Sequence, residues 1–248
     1  GIGGNMAMQE KFFHDNIRMN ANIIHTCAEL RVPRLLAFSS VCVFPDSLAV
    51  LEEDKMHEGP VFESNFAYGY AKRMVDVHIR AVKSQYGLDY CSVIPGNIFG
   101  PSDMFSIEHG HIIPSLIHKL YLAKRDNTDF RIWGDGQSYR EFIYVDDLAR
   151  CVLNMVDLPE VPQRVIVSGK DELPISYIVD SLVKIAGFTG NVVYETDKPN
   201  GQRRRPSSKR VFNEWFHNFE YTPIYEGLKS TWDWFCESYP NVRTEYTK

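Results

Sequence analysis

Apolar positions recur along this chain with a helical period in some stretches and as short unbroken runs in others. From about Glu10 to Leu30, Phe13, Ile17, Ile24 and Ala28 fall on one face, and Phe12 and Ile23 widen it. The spacing predicts a long helix with a broad buried stripe. Asn16 and Asn20 lie on or near this helix, where solvent exposure accounts for at least one of them. Val32-Pro33-Arg34 stops it. The run Leu35 to Phe38 then reads as a strand, which Val41 to Phe44 prolong before Pro45-Asp46-Ser47 turns the chain. Leu51 to Asn65 is acidic and interrupted by proline, the pattern of a loop lying over a site. A second helix, about Tyr68 to Tyr86, buries Val75, Ile79 and Val82, and Gly87 ends it. Tyr90 to Ile94 is the next strand. Strand, long helix, strand implies a right-handed crossover in a mostly parallel sheet.

Pro95 to Pro101 reads as a rigid turn at the carboxyl end of that strand, where open α/β sheets place ligands. Beyond it the pattern is less regular. A helix is expected near His111 to Ala123, a strand at Phe130 to Trp133, a turn at Gly134-Asp135-Gly136 and a strand at Glu141 to Val145. Asp146 is the expected N-cap of a helix burying Leu148, Cys151, Val152 and Met155. Arg164 to Ser168 is a strand, Pro174 to Ala186 a helix carrying Ile178, Leu182 and Ile185, and Asn191 to Glu195 a strand. The basic loop Gly201 to Arg205 precedes helical segments around 208–215 and 224–237. The tail after Tyr239 has no periodicity and is expected to be loose.

Composition narrows the class. With 248 residues, 44% hydrophobic and 24% charged, the chain resembles an ordinary globular protein large enough for a sizeable core. A formal charge of -5 argues against a dominant nucleic-acid surface. No run approaches the length of a membrane-spanning helix. The five cysteines, Cys27, Cys42, Cys91, Cys151 and Cys236, show no CxxC spacing and are expected to be reduced thiols of a cytoplasmic protein. Gly1 to Asn5 precede the first methionine, Met6, and read as a strand-exit loop, so the sequence is expected to be a piece of a longer protein.

One stretch carries chemistry. Ser40 follows a strand, and Tyr68 and Lys72 lie one helical turn apart. A tyrosine able to pass a proton, a lysine able to lower its pKa and hold a ribose, and a serine able to hold a carbonyl oxygen suit hydride transfer at a carbinol carbon. The spacing alone is common: Tyr194/Lys198 and Tyr225/Lys229 share it. Only Tyr68/Lys72 follows a strand with a terminal serine. Tyr70, two positions on, points to a different helical face.

Ser40-x-Cys42, Tyr68-x-x-x-Lys72, Pro95-x-Asn97-x-x-Gly100-Pro101, His111-x-x-Pro114, Trp133-Gly134-x-Gly136, Arg140-Glu141-Phe142 and Val145-Asp146-Asp147 occur in this order. Together they resemble the extended short-chain dehydrogenase/reductases, and among these the GDP-L-fucose synthase family. The resemblance implies an α/β fold. A Rossmann-type parallel sheet lacks its N-terminal strands in this chain, and a smaller α/β substrate-binding domain accompanies it. Residues 1–100 would be the C-terminal part of the dinucleotide-binding domain and 101–248 mainly the substrate domain, with segments returning to the first. It implies an NADPH-dependent 3,5-epimerase and 4-reductase acting on a GDP-sugar, GDP-4-keto-6-deoxy-D-mannose, as a homodimer whose two long helices pair across a two-fold axis. Ser40, Tyr68 and Lys72 match the reductase triad, and Cys42 and His111 the proton-transfer pair, with His109 a surface neighbour. Gly3, Gly4, Lys72, Pro95, Asn97 and Ile98 match the NADP side. Asn97, Lys119, Trp133, Arg140 and Arg205 match the GDP-sugar side, and Arg203 or Arg204 could assist. No metal is implied.

The departures are the missing amino-terminal pyrophosphate loop, which would separate NADP from NAD, and the segment Asn200 to Arg204. One rival is another NAD(P)-dependent nucleotide-sugar epimerase, dehydratase or reductase; Val41 between Ser40 and Cys42, with no acid nearby, disfavours dehydration. A second rival is a non-catalytic nucleotide-binding relative.

Overall fold

The structure is a computed structural model, and it describes residues 8–197 and 203–245. The first helix, α1 (Gln9–Glu29), leads to strand β1 (Arg34–Phe38), the long helix α2 (Phe66–Tyr86) and strand β2 (Asp89–Pro95). β1 and β2 are parallel, with Arg34 opposite Asp89 and Phe38 opposite Val93. A distant strand, β6 (Arg164–Val167), joins the other side of β2, also parallel, giving the order β1-β2-β6. The crossover read from the strand, helix, strand pattern is therefore present. α1 and α2 pack together over this sheet through Ile24, Ala28, Val75, Ile79 and Val82, with Tyr90 beneath them.

The stripe on α1 is narrower than its sequence suggests. Ile24 and Ala28 are buried, but Phe13 and Ile23 are exposed. Asn16 and Asn20 are half-buried rather than solvated, each donating its side-chain amide to a carbonyl one turn back, Phe12 at 2.8 Å and Asn16 at 2.7 Å.

A second sheet follows from a single glycine. Gly96 separates β2 from β3 (Asn97–Phe99), so the expected turn at 95–101 instead begins a new strand. A Cβ at Gly96 would stand 2.8 Å from the Ser168 Cβ, so only glycine lets the chain cross here. β3 pairs parallel with β5 (Tyr139–Tyr144), and β5 pairs antiparallel with β7 (Glu172–Pro174), a strand the sequence reading did not find. β4 (Phe130–Trp133) pairs parallel with β8 (Val192–Glu195). Around these strands, α3 (Ile112–Asp126), α5 (Ile175–Ala186) and α7 (Ile224–Ser238) enclose the largest core. Helix α4 (Val145–Asp157) and the short α6 (Arg210–Trp215) pack over β2 and β6 through Cys151, Met155 and Phe212.

Val145 belongs to α4 and not to β5, and Asp146 lies in the first turn of the helix, where Tyr144 occupies the N-cap position. The acid still complements the helix dipole there. The tail is not loose up to Glu245: Phe105 N–H donates to the Arg243 carbonyl at 2.7 Å, and Val242 enters the large core. None of the described helices is long and apolar enough to cross a membrane. All five cysteines are free thiols.

Candidate active site

At the carboxyl end of β1 the chain does not stay extended as its apolar residues suggest. Val41–Val43 forms a 3-10 turn, and Ser40 caps it, its Oγ accepting the Cys42 N–H at 3.2 Å. The reason lies beneath: Val43 and Phe44 are drawn into a core with Leu51, Met56, Ile94 and Ile166. Burying Leu51 or Met56 contributes about 1.5–3 kcal/mol each. The acidic stretch after Pro45 is therefore anchored, not draped. Leu51 N–H donates to the Pro206 carbonyl at 2.8 Å and Ser208 N–H to the Leu51 carbonyl at 2.7 Å. Glu53 is buried, accepting the Ile166 N–H at 3.0 Å, and burial raises its pKa.

Against the Cys42 turn lies the first turn of α2. Gly69 makes this contact possible, since a Cβ there would be 2.7 Å from the Cys42 carbonyl oxygen and 3.2 Å from Val61 Cγ2. Four residues on, the buried Arg73 donates from Nε to the Val43 carbonyl at 2.8 Å and from Nη1 to the Gly59 carbonyl at 2.9 Å. Asp76, buried one turn further, takes His57 Nε2 at 2.8 Å and Arg164 Nε at 3.0 Å. This polar stripe fixes Tyr68 and Lys72, on the same helix, relative to Ser40 and Cys42. Tyr70 turns aside and carries the Arg73 guanidinium 5.2 Å from its ring centre.

Tyr68 is half-buried. Lys72 Nζ donates to the Phe38 carbonyl at the end of β1, 3.2 Å away, and Ser39 Oγ donates to the Lys72 carbonyl, also 3.2 Å. Burial lowers the Lys72 pKa. An ammonium has three donor hydrogens, and this is its one hydrogen bond among the described residues. Two of its hydrogens are uncommitted among the described residues.

Pro95 is buried at the end of β2 and Ile98 is half-buried in β3. Asn97 spends its side-chain amide on the Glu141 carbonyl at 2.9 Å, tying β3 to β5. Gly3 and Gly4 lie outside the described residues. His111 occupies the N-cap position of α3 with its side chain 63% exposed, Nδ1 3.8 Å from Asp103 Oδ1. It makes no hydrogen bond to Cys42, and His109 is its exposed neighbour beside Glu108.

Arg140 and Arg205 are both half-buried. Burial lowers the Arg140 pKa, and the Arg205 charge lowers it further. Arg205 is likewise depressed by burial, opposed by Cys42 and Asp46. Its Nη2 donates to the carbonyls of Phe44 at 3.1 Å and Pro45 at 3.3 Å, while Nε is buried with no acceptor among the described residues. Glu172 opposes the Arg140 shift, and a guanidinium is of the type that can make bidentate contacts to an anion. Arg204 is occupied elsewhere, its Nε donating to Glu172 Oε2 at 2.9 Å, and Arg203 offers its carbonyl to the Tyr139 N–H at 2.8 Å. Lys119 and Trp133 meet at a separate cleft of about 330 Å³, the ammonium 4.6 Å from the ring centre.

The sequence profile of the NAD dependent epimerase/dehydratase family matches residues 1–168. This chain belongs to that family. Among its relatives, the GDP-L-fucose synthase of Dictyostelium discoideum is 36% identical over 246 residues, covering 98% of this chain and 77% of that protein. The GDP-L-fucose synthase of Escherichia coli (strain K12) is 29% identical over 257 residues, covering 98% of this chain and 79% of its own length. The crystal structure of a GDP-L-fucose synthetase from Naegleria fowleri bound to NADP superposes with a TM-score of 0.92 at 37% identity, covering 97% of this chain and 74% of that one.

In this member of the epimerase/dehydratase family, sequence reasoning missed the residues that hold the catalytic candidates in place. Gly69, Arg73 and Asp76 share one helical face at spacings of four and three. A glycine, a guanidinium and a carboxylate on an otherwise apolar face was the available signal. Glu141 is harder to find: Ser207 N–H reaches its Oε2 at 3.3 Å and Lys209 Nζ its Oε1 at 3.3 Å, which fixes the segment bearing Arg205.

Proposed function

We propose that this protein converts GDP-4-keto-6-deoxy-D-mannose to GDP-L-fucose, inverting C3 and C5 and reducing the C4 ketone with NADPH. The observation that carries the reading is the contact of Gly69 with the Cys42 carbonyl. It sets the turn bearing Ser40 and Cys42 against the turn bearing Tyr68 and Lys72. The GDP-L-fucose synthases named above support the same substrate.

The C4 ketone makes the hydrogens on C3 and C5 acidic, because the resulting enolate spreads its charge onto the oxygen. Cys42 and His111 are the groups that remove and return those protons on opposite faces of the ring. Ser40 orients the C4 oxygen. Tyr68 gives that oxygen a proton as negative charge develops, and the Lys72 cation one turn away favours the tyrosinate left behind. When bound, NADPH supplies the hydride that C4 receives. The uncommitted ammonium hydrogens of Lys72 suit a ribose diol, and Pro95, Asn97 and Ile98, with Gly3 and Gly4, complete the cofactor side. Arg140 and Arg205 take the diphosphate; Asn97, Lys119 and Trp133 complete the GDP-sugar side.

In this reading residues 1–100 are the carboxyl-terminal part of a dinucleotide-binding domain and 101–248 mainly the substrate domain, with β6, α4 and α6 returning to the first, since β6 pairs with β2 and the two helices pack over them. The protein acts in the cytoplasm, consistent with its free thiols, and as a homodimer. Phe13, Met19 and Ile23 of α1 and Met74 and Val77 of α2 are exposed apolar side chains for a second copy to cover. Sedimentation of Val77→Asp as a monomer would support that assembly, and an unchanged wild-type monomer would remove it.

The decisive assay supplies the purified protein, expressed from its whole reading frame, with NADPH and GDP-4-keto-6-deoxy-D-mannose. GDP-L-fucose is the expected product. A 4-hydroxy product with C3 and C5 uninverted would overturn the epimerase half, and no NADPH oxidation would overturn the reading altogether.

A further inference from the structure

The chain between Pro101 and His111 forms no helix or strand, yet its middle is firmly held. Met104, Phe105 and Ser106 are buried. Phe105 is tied on both sides, its N–H to the Arg243 carbonyl and its carbonyl accepting from Nδ1 of the buried His118 at 2.7 Å. Its ring lies against Phe235 of α7, with centroids 4.8 Å apart. Beyond Phe105 the chain folds back. Gly110 N–H donates to the Ser106 carbonyl at 3.0 Å, His109 N–H to Ser106 Oγ at 3.1 Å and Ser115 Oγ to the Ile107 carbonyl at 3.0 Å. These ties return His111 to the start of its own loop, where Asp103 stands.

Asp103 is a carboxylate with no part in the chemistry above. Its side chain is 19% exposed, and Oδ1 accepts the Met104 N–H at 2.6 Å, which holds the group in one orientation. The same oxygen lies 3.8 Å from His111 Nδ1, and Asp103 has no other ion-pair partner among the described residues. His111 occupies the N-cap position of α3 without capping it, since its side chain takes no backbone N–H. Serine, threonine, asparagine and aspartate cap helices well, so helix stability does not account for an imidazole here. The separation is longer than a hydrogen bond, and closing it takes less than about 1 Å. The exposed ring has room to move that far, and catalytic hydrogen bonds commonly shorten when substrate binds.

We propose that Asp103 is a positioning residue: its carboxylate accepts the Nδ1 hydrogen of His111 and so leaves Nε2 as the atom that exchanges a proton with the sugar. The proposal rests on the reading that His111 and Cys42 transfer the C3 and C5 protons. It adds which nitrogen acts and what holds it in place.

A neutral imidazole carries one hydrogen, and the partner of each nitrogen decides which of the two bears it. An ionised carboxylate only accepts, so the nitrogen facing Asp103 is the donor. Acting as base, Nε2 uses its lone pair to form an N–H bond as the sugar C–H bond breaks. The electron pair released enters the enolate, and its charge ends on the C4 oxygen. Acting as acid, the imidazolium returns its Nε2 hydrogen to carbon and becomes neutral. Nδ1 keeps its hydrogen on Asp103 in both directions. Without that acceptor the ring is free to carry its hydrogen on Nε2, which then has no lone pair for the sugar proton.

The test uses the whole protein with isotope-labelled imidazole nitrogens. Nuclear magnetic resonance reads which nitrogen bears the hydrogen in the neutral ring, and His111→Gln assigns the signal by its loss. In the wild type the hydrogen is expected on Nδ1. Asp103→Ser keeps an oxygen for the Met104 N–H but is too short to reach the ring, and a thermal melt checks that it folds. Its His111 hydrogen is expected to shift to Nε2. Solvent-deuterium exchange into the GDP-4-keto sugar at saturation is expected to fall about tenfold, a part of what a positioned acid–base group supplies. The half-saturating sugar concentration should change less than about twofold, since binding is not what is lost. A carboxylate that only shaped its own loop would leave the tautomer unchanged. An Nε2 hydrogen in the wild type overturns the proposal even if Asp103→Ser does not fold. An unchanged tautomer in folded Asp103→Ser also overturns it. If His111→Gln slows exchange while Asp103→Ser does not, this inference alone fails. If His111→Gln exchanges as the wild type does, the underlying reading of His111 fails with it.

Discussion

Arg73 donates from Nε to the Val43 carbonyl at 2.8 Å, joining the residue after Lys72 to the residue after Cys42. A buried guanidinium thus fixes the distance between the helix that carries the phenol and the turn that carries the thiol. It makes a second tie to the Gly59 carbonyl at 2.9 Å.

Replacing this group leaves buried carbonyls without donors. Arg73→Met is expected to lose about 2–3 kcal/mol of stability, read by denaturant melts, because hydrogen bonds to a charged group are removed. Its activity should fall by more than the unfolded fraction explains, with kcat reduced more than KM is raised. Unaltered kcat in the folded variant would show that the tie does not position the site.

Gly69→Ala tests the same interface from the other side. A methyl at 2.7 Å from the Cys42 carbonyl oxygen must push the turn away from α2. The expected cost is about 1–3 kcal/mol, as for other overpacked sites. Proton exchange at the sugar carbons, which needs Cys42, should fall further than nucleotide binding, which does not. Wild-type exchange in Gly69→Ala would show that the close approach is not needed.

Much of this arrangement was legible in the sequence. The period of apolar residues located α2 and β2, because Val75, Ile79 and Val82 face the sheet and Gly87 permits the left-handed residue that ends the helix, at φ 68°. The failures share a cause: tertiary burial overrode local pattern. Val41 to Phe44 look like strand, yet Val43 and Phe44 turn inward to meet Met56 and Ile166. Val242 looks like part of a tail, yet fills the large core. Ser40, Tyr68 and Lys72 could be singled out because their chemistry depends on local spacing. The partners of Glu141 could not, since Ser207 and Lys209 are brought to it by the chain beyond residue 203.

Lys72 sets a pH dependence. Its pKa is lowered by burial, so the folded protein binds this proton less tightly than the unfolded chain does. The stabilising contribution is present above the unfolded lysine pKa and is lost as pH falls through the depressed folded value. Wild-type stability should therefore rise with pH across that alkaline window, and Lys72→Met should lack this component of the rise. Reduction should decline on the alkaline side at a pH below the ordinary lysine range, as the cation beside Tyr68 disappears. Thermal melts and kcat profiles from pH 7 upward read both. A slope unchanged in Lys72→Met would contradict the assignment.

Arg205 separates binding from chemistry. Arg205→Lys keeps the charge but loses the planar fork that can grip two phosphate oxygens. KM for the GDP-sugar should rise about tenfold with little change in kcat, the pattern of lost uniform binding. A drop in kcat at constant KM would place this residue with the proton-transfer groups instead.

Solvent-deuterium incorporation tests the division of labour between Cys42 and Tyr68 most directly. The GDP-4-keto sugar is incubated in deuterium oxide with each variant, and its C3 and C5 positions are read by nuclear magnetic resonance. Tyr68→Phe is expected to exchange both positions while reducing C4 about 10²–10⁴-fold more slowly, as for loss of a general acid. Cys42→Ser is expected to lose exchange. Exchange that survives in Cys42→Ser and vanishes in Tyr68→Phe would contradict the account.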